Sequence, residues 1–537
     1  MKETTIHILL IGMFSAFLFF YGLGEMALTD PDETFYAQTA REMSDSGQWV
    51  TPLIFGKPQF EKPVLYYWLI EISYRIFGVS EFSARVPSAV AGLIGLLGIY
   101  LLGRLVFNPL CGLLSALIMG TSAEYIALSR GCVTDMVLTV LLLFCMLFFL
   151  YGRRKQARVY YFLSSSMAAL AVLTKGPIGL FIPGVVIAVY LFTGKRWKDI
   201  KEIPVFWAVA IFLAICLPWY LIAYKIHGDI FLSEFFGFQN VTRFLVPEHT
   251  TGDSPFFYIP VILGGIFPWT SFFIFALWRY YKGPSDPDGY SYKFFLTVWL
   301  AVVFIFFSAS RTKLVTYVFP LFPVLSIITG RFWERCITDY REDRRLRTFL
   351  NISYYSFLAI ALSGVIAVYF VIKHKYADAV YPVMQSGAVF MAILAVSLIF
   401  FLRKRFILCF LSIILTVSIS LVPVIELVLP VIEKHESRET LVALIKSMAD
   451  PEDDIGGEGD HRRGVAFYTG RHDIEDLHPQ DKLARFLSRE DTVWGVVKYK
   501  HYEQLKKDRK DIYVRSIARA GKYVLVTNKP PRAIDSR

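Results

Sequence analysis

Apolar runs long enough to cross a bilayer recur along most of this chain, and they constrain its fold more than any other feature. A helix rises 1.5 Å per residue, so crossing about 30 Å of hydrocarbon takes about 20 apolar residues. About thirteen candidate spans meet or approach that length: 6–24, 84–103, 110–128, 133–151, 159–173, 177–193, 204–223, 256–278, 294–309, 314–330, 350–372, 383–402 and 406–429. Hydrocarbon offers a backbone no hydrogen-bond partner, so spans of this kind are helices. Only 19% of the 537 residues are charged, against about a quarter in a soluble domain. The expected fold class is therefore a polytopic α-helical membrane protein. The first span is longer than the apolar core of a signal peptide and lacks a small-x-small cleavage site, so it is expected to stay as an anchor.

The net charge of +11 does not point to nucleic acid. The basic residues sit in short clusters between spans rather than on one face. GRRKQAR (152–158), GKRWKDIK (194–201), RRLR (344–347) and RKR (403–405) fall in alternate loops. Placing them inside puts the N-terminus inside, and the loops 25–83 and 225–255 outside with the tail after residue 430. The six cysteines (Cys111, Cys132, Cys145, Cys216, Cys336 and Cys409) form no CxxC pair, so neither a disulfide framework nor a zinc–thiolate site is supported.

Residues 434–537 are richer in charge and lack long apolar runs. TLVALIKSMA (440–449) reads as a helix, and VAFYTG (465–470), TVWGVVKY (492–499) and YVLVTN (523–528) read as strands. The expectation is a transmembrane domain over 1–433 and a small extracytoplasmic α/β domain over 434–537.

The first outer loop carries an unusual charge load. DPDETFY (30–36) and FEKP (60–63) place four carboxylates and a lysine just outside the first span. Part of this fits helix-end chemistry: Asp30 as cap, Pro31 in the first turn, Glu33 where a capping box puts it, and Asp32 and Glu33 at the positive end of the dipole. The residues after it suit an amphipathic interfacial helix, with Phe35, Tyr36, Ala40 and Met43 on one face and Gln38, Arg41, Glu42 and Asp45 on the other. Capping needs one or two of these acids, not all. Charges are costly in hydrocarbon, so the rest belong at the water boundary or in a polar cavity roofed by two interfacial helices.

The stretch DPDETFYAQTAREMSDSGQWVTPLIFGKPQFEKPVLYYWL resembles the first outer loop of the ArnT-like glycosyltransferases, relatives of the protein O-mannosyltransferases in the GT-C superfamily. LTKGPIGL (173–180), LPWY (217–220), FFGFQNVTRFL (235–245), FPWT (267–270) and SRTKLVTYVFP (310–320) extend the resemblance over residues 1 to about 330. It implies a GT-C fold in a bacterial inner membrane. It also implies transfer of a sugar from undecaprenyl phosphate, with 4-amino-4-deoxy-L-arabinose as the sugar and lipid A as the acceptor. A protein hydroxyl or another glycan stands as the alternative acceptor, and a transporter of the lipid-linked sugar as a reading of another class. Transporters place ionisable groups near the midplane, whereas these acids gather at one face. Partners are the lipid-linked sugar, the acceptor and the bilayer, with the chain expected to be a monomer.

By the same resemblance Asp32 is the catalytic carboxylate, with Glu33 and Asp135 as further catalytic candidates. Lys62, Arg243 and Tyr317 are the contacts to the donor phosphate. Arg and Lys suit a phosphate leaving group. Tyr36, Glu61, Lys175, Arg311 and Lys313 are candidates for lining the substrate site. For Asp135, Arg130 is the nearest cation in sequence. No metal is expected to be required; a divalent ion at Glu61 is the alternative. His249 is assigned nothing. One departure is Phe35, where relatives carry arginine.

Overall fold

In the computed structural model the described residues are 2–193, 197–235, 237, 254–282, 292–436 and 439–529. All thirteen apolar candidates fall on helix. Among the described residues nine helices are long and apolar enough to cross a membrane. Two bent pairs, Pro109–Gly120 with Ala123–Ser129 (69°) and Tyr258–Gly265 with Thr270–Lys282 (110°), bring the number to 11 if each pair is one span. The remaining two candidates fall on Arg158–Lys175 and on the shorter helix Ile178–Thr193.

The early elements are α1 (Lys2–Phe20), α2 (Asp32–Ser46), the hairpin strands β1 (Leu53–Ile54) and β2 (Lys57–Pro58), α3 (Leu65–Phe77) and α4 (Glu81–Val106). They are followed by α5 (Pro109–Gly120), α6 (Ala123–Ser129), α7 (Thr134–Lys155), α8 (Arg158–Lys175), α9 (Ile178–Thr193) and α10 (Val205–His227). α4 starts at a full capping box: the Ser80 hydroxyl accepts from the Ser83 amide, and the Ser83 hydroxyl accepts from the Ser80 amide. It meets α5 backbone to backbone, because a Cβ on Gly103 would lie 2.8 Å from the Gly112 Cα. Small residues at such crossings are how membrane helices gain contact without a hydrophobic driving force. Outer helices such as α10 and Arg344–Lys375 turn Phe206, Trp207, Val368 and Phe370 outward, as lipid-facing surfaces do.

The first outer loop holds α2, the hairpin and α3. Phe55 (φ 53°) and Gly56 (φ 69°) at the tip of the hairpin both lie in the left-handed region, as its tight two-residue turn requires. For a residue as bulky as phenylalanine that conformation is strained. The Glu42 carboxylate holds the tip by accepting from the Phe55 and Gly56 amides, each at 2.9 Å.

The C-terminal unit contains a five-stranded sheet in the order β4-β3-β5-β7-β6, from β3 (Asp454–Gly457), β4 (Glu475–Asp476), β5 (Val493–Lys498), β6 (Arg515–Ala520) and β7 (Tyr523–Thr527). β3 pairs in parallel with β4 and β5, whereas β7 pairs antiparallel with β5 and β6. Helix Glu439–Met448 and strands β5 and β7 lie where the sequence reading has them. VAFYTG does not: it is the end of helix Arg462–Thr469, called the docking helix below. Its β-branched and aromatic residues read as strand, but Val465, Ala466 and Phe467 are buried on a helix that Gly470 ends in the left-handed region. Packing overrode propensity there. Residues 433 and 434 fall inside helix Leu429–Glu436, so the chain enters this unit without a break at that point.

Candidate active site

α2 begins at Asp32, with Pro31 at the N-cap and no side-chain cap. The capping expectation for Asp30 and Glu33 is therefore corrected: their oxygens are used elsewhere. Asp30 accepts from the Thr34 hydroxyl. Glu33 is 5% exposed and takes Arg85 in a bidentate pair, Nε to Oε1 and Nη2 to Oε2 both at 2.8 Å. It also accepts from the Thr29 amide at 2.9 Å and the Cys132 amide at 2.7 Å. Arg85 in turn donates to the carbonyls of Leu23, Met26 and Ala27. Burial alone would raise the Glu33 pKa; the Arg85 charge and the donated hydrogen bonds overcome it and hold the carboxyl below the usual range. A carboxylate so saturated positions the loop. Both Glu33 oxygens are thus engaged by donors of the scaffold.

Asp32, one residue earlier, is exposed. Its charge reaches Tyr36, the next turn of α2, together with those of Asp135 and Glu61. Burial pushes the Tyr36 phenol up, and all three acids push the same way. Tyr36 stands in an aromatic wall, 5.2 Å from Phe35, 5.4 Å from Tyr66 and 6.0 Å from Tyr67 between ring centroids. The wall is anchored where Gln59 donates to the Tyr67 hydroxyl at 2.9 Å and accepts from the Glu61 amide at 2.9 Å. Lys62 extends from the same turn, its ammonium 3.1 Å from the Glu61 carbonyl.

A second group comes from the ends of the spans. Asp135, in the first turn of α7, pairs with Lys175 at the end of α8 at 2.7 Å. The Lys175 ammonium also lies 4.8 Å from the centre of the Tyr317 ring. The expected partner Arg130 is a correction: it donates instead to the carbonyls of Leu18, Tyr21 and Gly22, closing the end of α1. Lys175 thus touches both Asp135 and Tyr317, and the charges of Asp135, Glu61 and Asp32 all act on Tyr36. Lys313 donates to the Ser310 carbonyl and Arg311 is exposed; no described contact joins either to the group. Arg243 and His249 lie outside the described residues. So do residues 238–245 of FFGFQNVTRFL.

α2 also differs from expectation on its polar side. Gln38 and Glu42 are buried, at 0% and 3% exposure, because the hairpin tip and His472, just after the docking helix, meet them where water was expected. Arg41 donates to the Phe467 carbonyl, and the Tyr468 hydroxyl accepts from the Leu28 amide at 2.7 Å. Arg462 lies 3.8 Å over the Phe55 ring, bracing the strained hairpin tip. From below, the LPWY motif ties in: Trp219 on α10 donates to the Val50 carbonyl at 2.9 Å. Sequence reasoning missed Arg85 and Arg463, whose guanidinium on the docking helix lies 3.7 Å from Glu61. For Arg85 a signal existed, a lone cation at the start of an apolar span. For Arg463, in the polar tail, there was none.

The comparisons with known proteins bear on the family and the fold. A family model described as dolichyl-phosphate-mannose-protein mannosyltransferase matches residues 61–222. An undecaprenyl phosphate-alpha-4-amino-4-deoxy-L-arabinose arabinosyl transferase from an Enterobacter species is 30% identical over 394 residues, 72% of this chain and 69% of that one. The chain belongs to the ArnT-like glycosyltransferase family. A second family member so named, from Proteus mirabilis, is 30% identical over 65% of this chain; there the match spans 64% of the relative's length. The fold is that of ArnT from Cupriavidus metallidurans, a structure solved with undecaprenyl phosphate bound: TM-score 0.82 at 21% identity, over 97% of this chain and 98% of that one. The chain is thus a multi-pass membrane protein of GT-C fold.

Proposed function

We propose that this chain transfers a sugar from a polyprenyl-phosphate carrier to an acceptor at the outer face of the inner membrane. The carrier is undecaprenyl phosphate, the sugar 4-amino-4-deoxy-L-arabinose and the acceptor a phosphate of lipid A. The observation that carries this reading is the meeting of Asp135, Lys175 and Tyr317, with the charges of Asp135, Glu61 and Asp32 all acting on Tyr36.

The chemistry follows from those groups. An acceptor oxygen attacks the anomeric carbon from the face opposite the carrier, and the configuration inverts. The bond from that carbon to the carrier oxygen breaks, and its electron pair leaves with the carrier phosphate. Lys175 and Lys62 offset the charge that develops there, with Tyr317 and Arg243 as further phosphate contacts. Asp135 holds the Lys175 ammonium in place. Asp32 faces the sugar and stabilises the oxocarbenium-like state. A lipid A phosphate is already anionic and needs no base; a hydroxyl acceptor on a protein or glycan would draw on Asp32 for its proton.

An apolar groove of about 460 Å³ supports the donor assignment. It runs between α9 and helix Tyr292–Ala309, lined by Phe181, Val185, Val189, Val302 and Phe306. One end of it is formed by Phe181 and Phe306, whose ring centroids lie 4.7 Å apart; Phe181 is six residues along the chain from Lys175. A prenyl chain fits such a surface. No metal is part of this reading; a divalent ion at Glu61 is the alternative, and the Arg463 guanidinium lies 3.7 Å from that carboxylate. The N-terminus is cytoplasmic, the C-terminal unit is periplasmic and the working unit is a monomer.

The test is mass spectrometry of lipid A and envelope glycans from cells with the wild-type gene, no gene and Asp32→Asn. Loss of one modification in the last two, with the variant still inserted, is expected. Normal modification in the Asp32→Asn cells would remove Asp32 from the chemistry. A cytoplasmic reporter that stays active when fused after residue 529 would invert the topology.

A further inference from the structure

The docking helix does more than cover α2. It lays Arg463 across Phe35, the guanidinium carbon 4.7 Å from the ring centroid. The Arg463 Nη2 lies 3.7 Å from Glu61 Oε1 and 3.0 Å from Asp460 Oδ1. The side chain is 16% exposed, and its buried Nε has no hydrogen-bond partner among the described residues. The contact to Glu61 is beyond hydrogen-bond length, and Asp460 is 68% exposed, so water screens it. This fork of donors is therefore underused, and guanidinium forks match the oxygens of phosphate and carboxylate.

Its position is fixed by backbone, not by a wandering arm. The next residue is Gly464, where a Cβ would fall 2.4 Å from Asp30 Oδ2. The helix presses on the DPDE turn itself, and only glycine allows that approach. Tyr67, in the aromatic wall, is within reach of the charges of Glu61 and Arg463. The guanidinium thus stands at the edge of the site, over a residue that carries no charge of its own.

We propose that Arg463 is a substrate-binding residue lent to the site by the C-terminal unit, and that it grips a phosphate oxygen of one of the two lipid substrates beside Glu61. This rests on the transferase reading above. The phosphate belongs either to the carrier or to the acceptor. The chemistry is the same, and the experiment separates them.

Full-length protein in detergent is titrated with undecaprenyl phosphate and, separately, with lipid A. The variants are Arg463→Ala, Arg463→Gln, Arg463→Lys, the double variant F35R/R463A, and Lys62→Ala as a control for the donor site. Melting temperatures are measured alongside, and Arg463→Gln keeps most of the side-chain volume should Arg463→Ala misfold. Losing a hydrogen bond to a charged partner weakens binding by about tenfold or more. That loss is expected in Arg463→Ala and Arg463→Gln for one lipid, and its identity names the phosphate. A smaller loss is expected in Arg463→Lys. F35R/R463A is expected to recover affinity to within about threefold, which a purely structural tie would not produce. Wild-type affinity for both lipids in Arg463→Gln overturns the proposal. So does a loss that tracks the melting temperature and is not rescued by F35R. If Lys62→Ala weakens undecaprenyl phosphate binding while Arg463→Gln changes neither lipid, the transferase reading stands and this inference alone falls. If wild type binds neither lipid, both fall.

Discussion

Replacing Glu33 with glutamine separates scaffold from chemistry in this loop. The carboxylate is buried and paired in two hydrogen bonds of 2.8 Å with Arg85. It also takes the amides of Thr29 and Cys132. A glutamine keeps the shape, but its NH2 must face either the Arg85 Nε, with the Cys132 amide, or the Arg85 Nη2, with the Thr29 amide. A donor then meets donors, and a buried guanidinium loses its counter-charge. Breaking a buried pair from one side costs about 3–5 kcal/mol. Arg85 keeps three carbonyl acceptors, which argues for the lower end. Thermal unfolding in detergent should then show a drop on the order of 5 °C, taking a few degrees per kcal/mol. The pH dependence carries a second signature. The folded Glu33 pKa lies below its unfolded value of about 4.3, so its contribution is complete above that pH. It is lost as the pH falls through the folded pKa. Wild type should lose stability below about pH 4.3 more steeply than Glu33→Gln. A variant that melts with wild type, keeps the same acid limb and yet loses turnover would refute the argument and return Glu33 to the chemistry.

Other perturbations probe the remaining contacts. Asp135→Asn should abolish or sharply reduce transfer, and pairing it with Lys175→Ala should cost less than the sum of the two; a double-mutant cycle measures this, and strict additivity would break the pair. Gly464→Ala should destabilise the docked tail by about 1–3 kcal/mol through overpacking against Asp30, seen as faster proteolysis of residues 439–529. Unchanged proteolysis would mean that the turn yields. Glu42→Gln should loosen the hairpin tip by weakening its hold on the Phe55 and Gly56 amides, with amide hydrogen exchange there rising about tenfold for each 1.4 kcal/mol lost.

How much was legible in the sequence follows from the range of each interaction. Hydrocarbon permits little but helices, so the thirteen apolar runs were readable one at a time. The acids of DPDE and FEKP were readable because charge beside a bilayer is costly and must have a use. The partners were not. Glu33 looked like a capping residue because the capping box is local, whereas Arg85 lies a helix away in the chain. Arg130 looked like the partner of Asp135 because it is near in sequence. The strain it relieves, open carbonyls at the end of α1, is visible only in space. Phe35, Tyr36, Ala40 and Met43 were correctly placed on a buried face. The burial of Gln38 and Glu42 was missed because His472, which meets both, arrives more than four hundred residues later. The helix just before it, Arg462–Thr469, was read as a strand because its valine, phenylalanine and tyrosine carry β propensity, and nothing nearby reveals what they pack on.

The cover over α2 also sets an order of assembly. Residues 30–62 are synthesised early, while the helix that shields their polar flank and brings Arg463 is made near the end. Until then Gln38 and Glu42 lack their contact with His472, and Arg462 is not yet there to brace the bent hairpin tip. A chain halted short of residue 462 would hold nearly every group of the membrane-side site and still present an unfinished one, which makes the tail a checkpoint on completion as well as a wall.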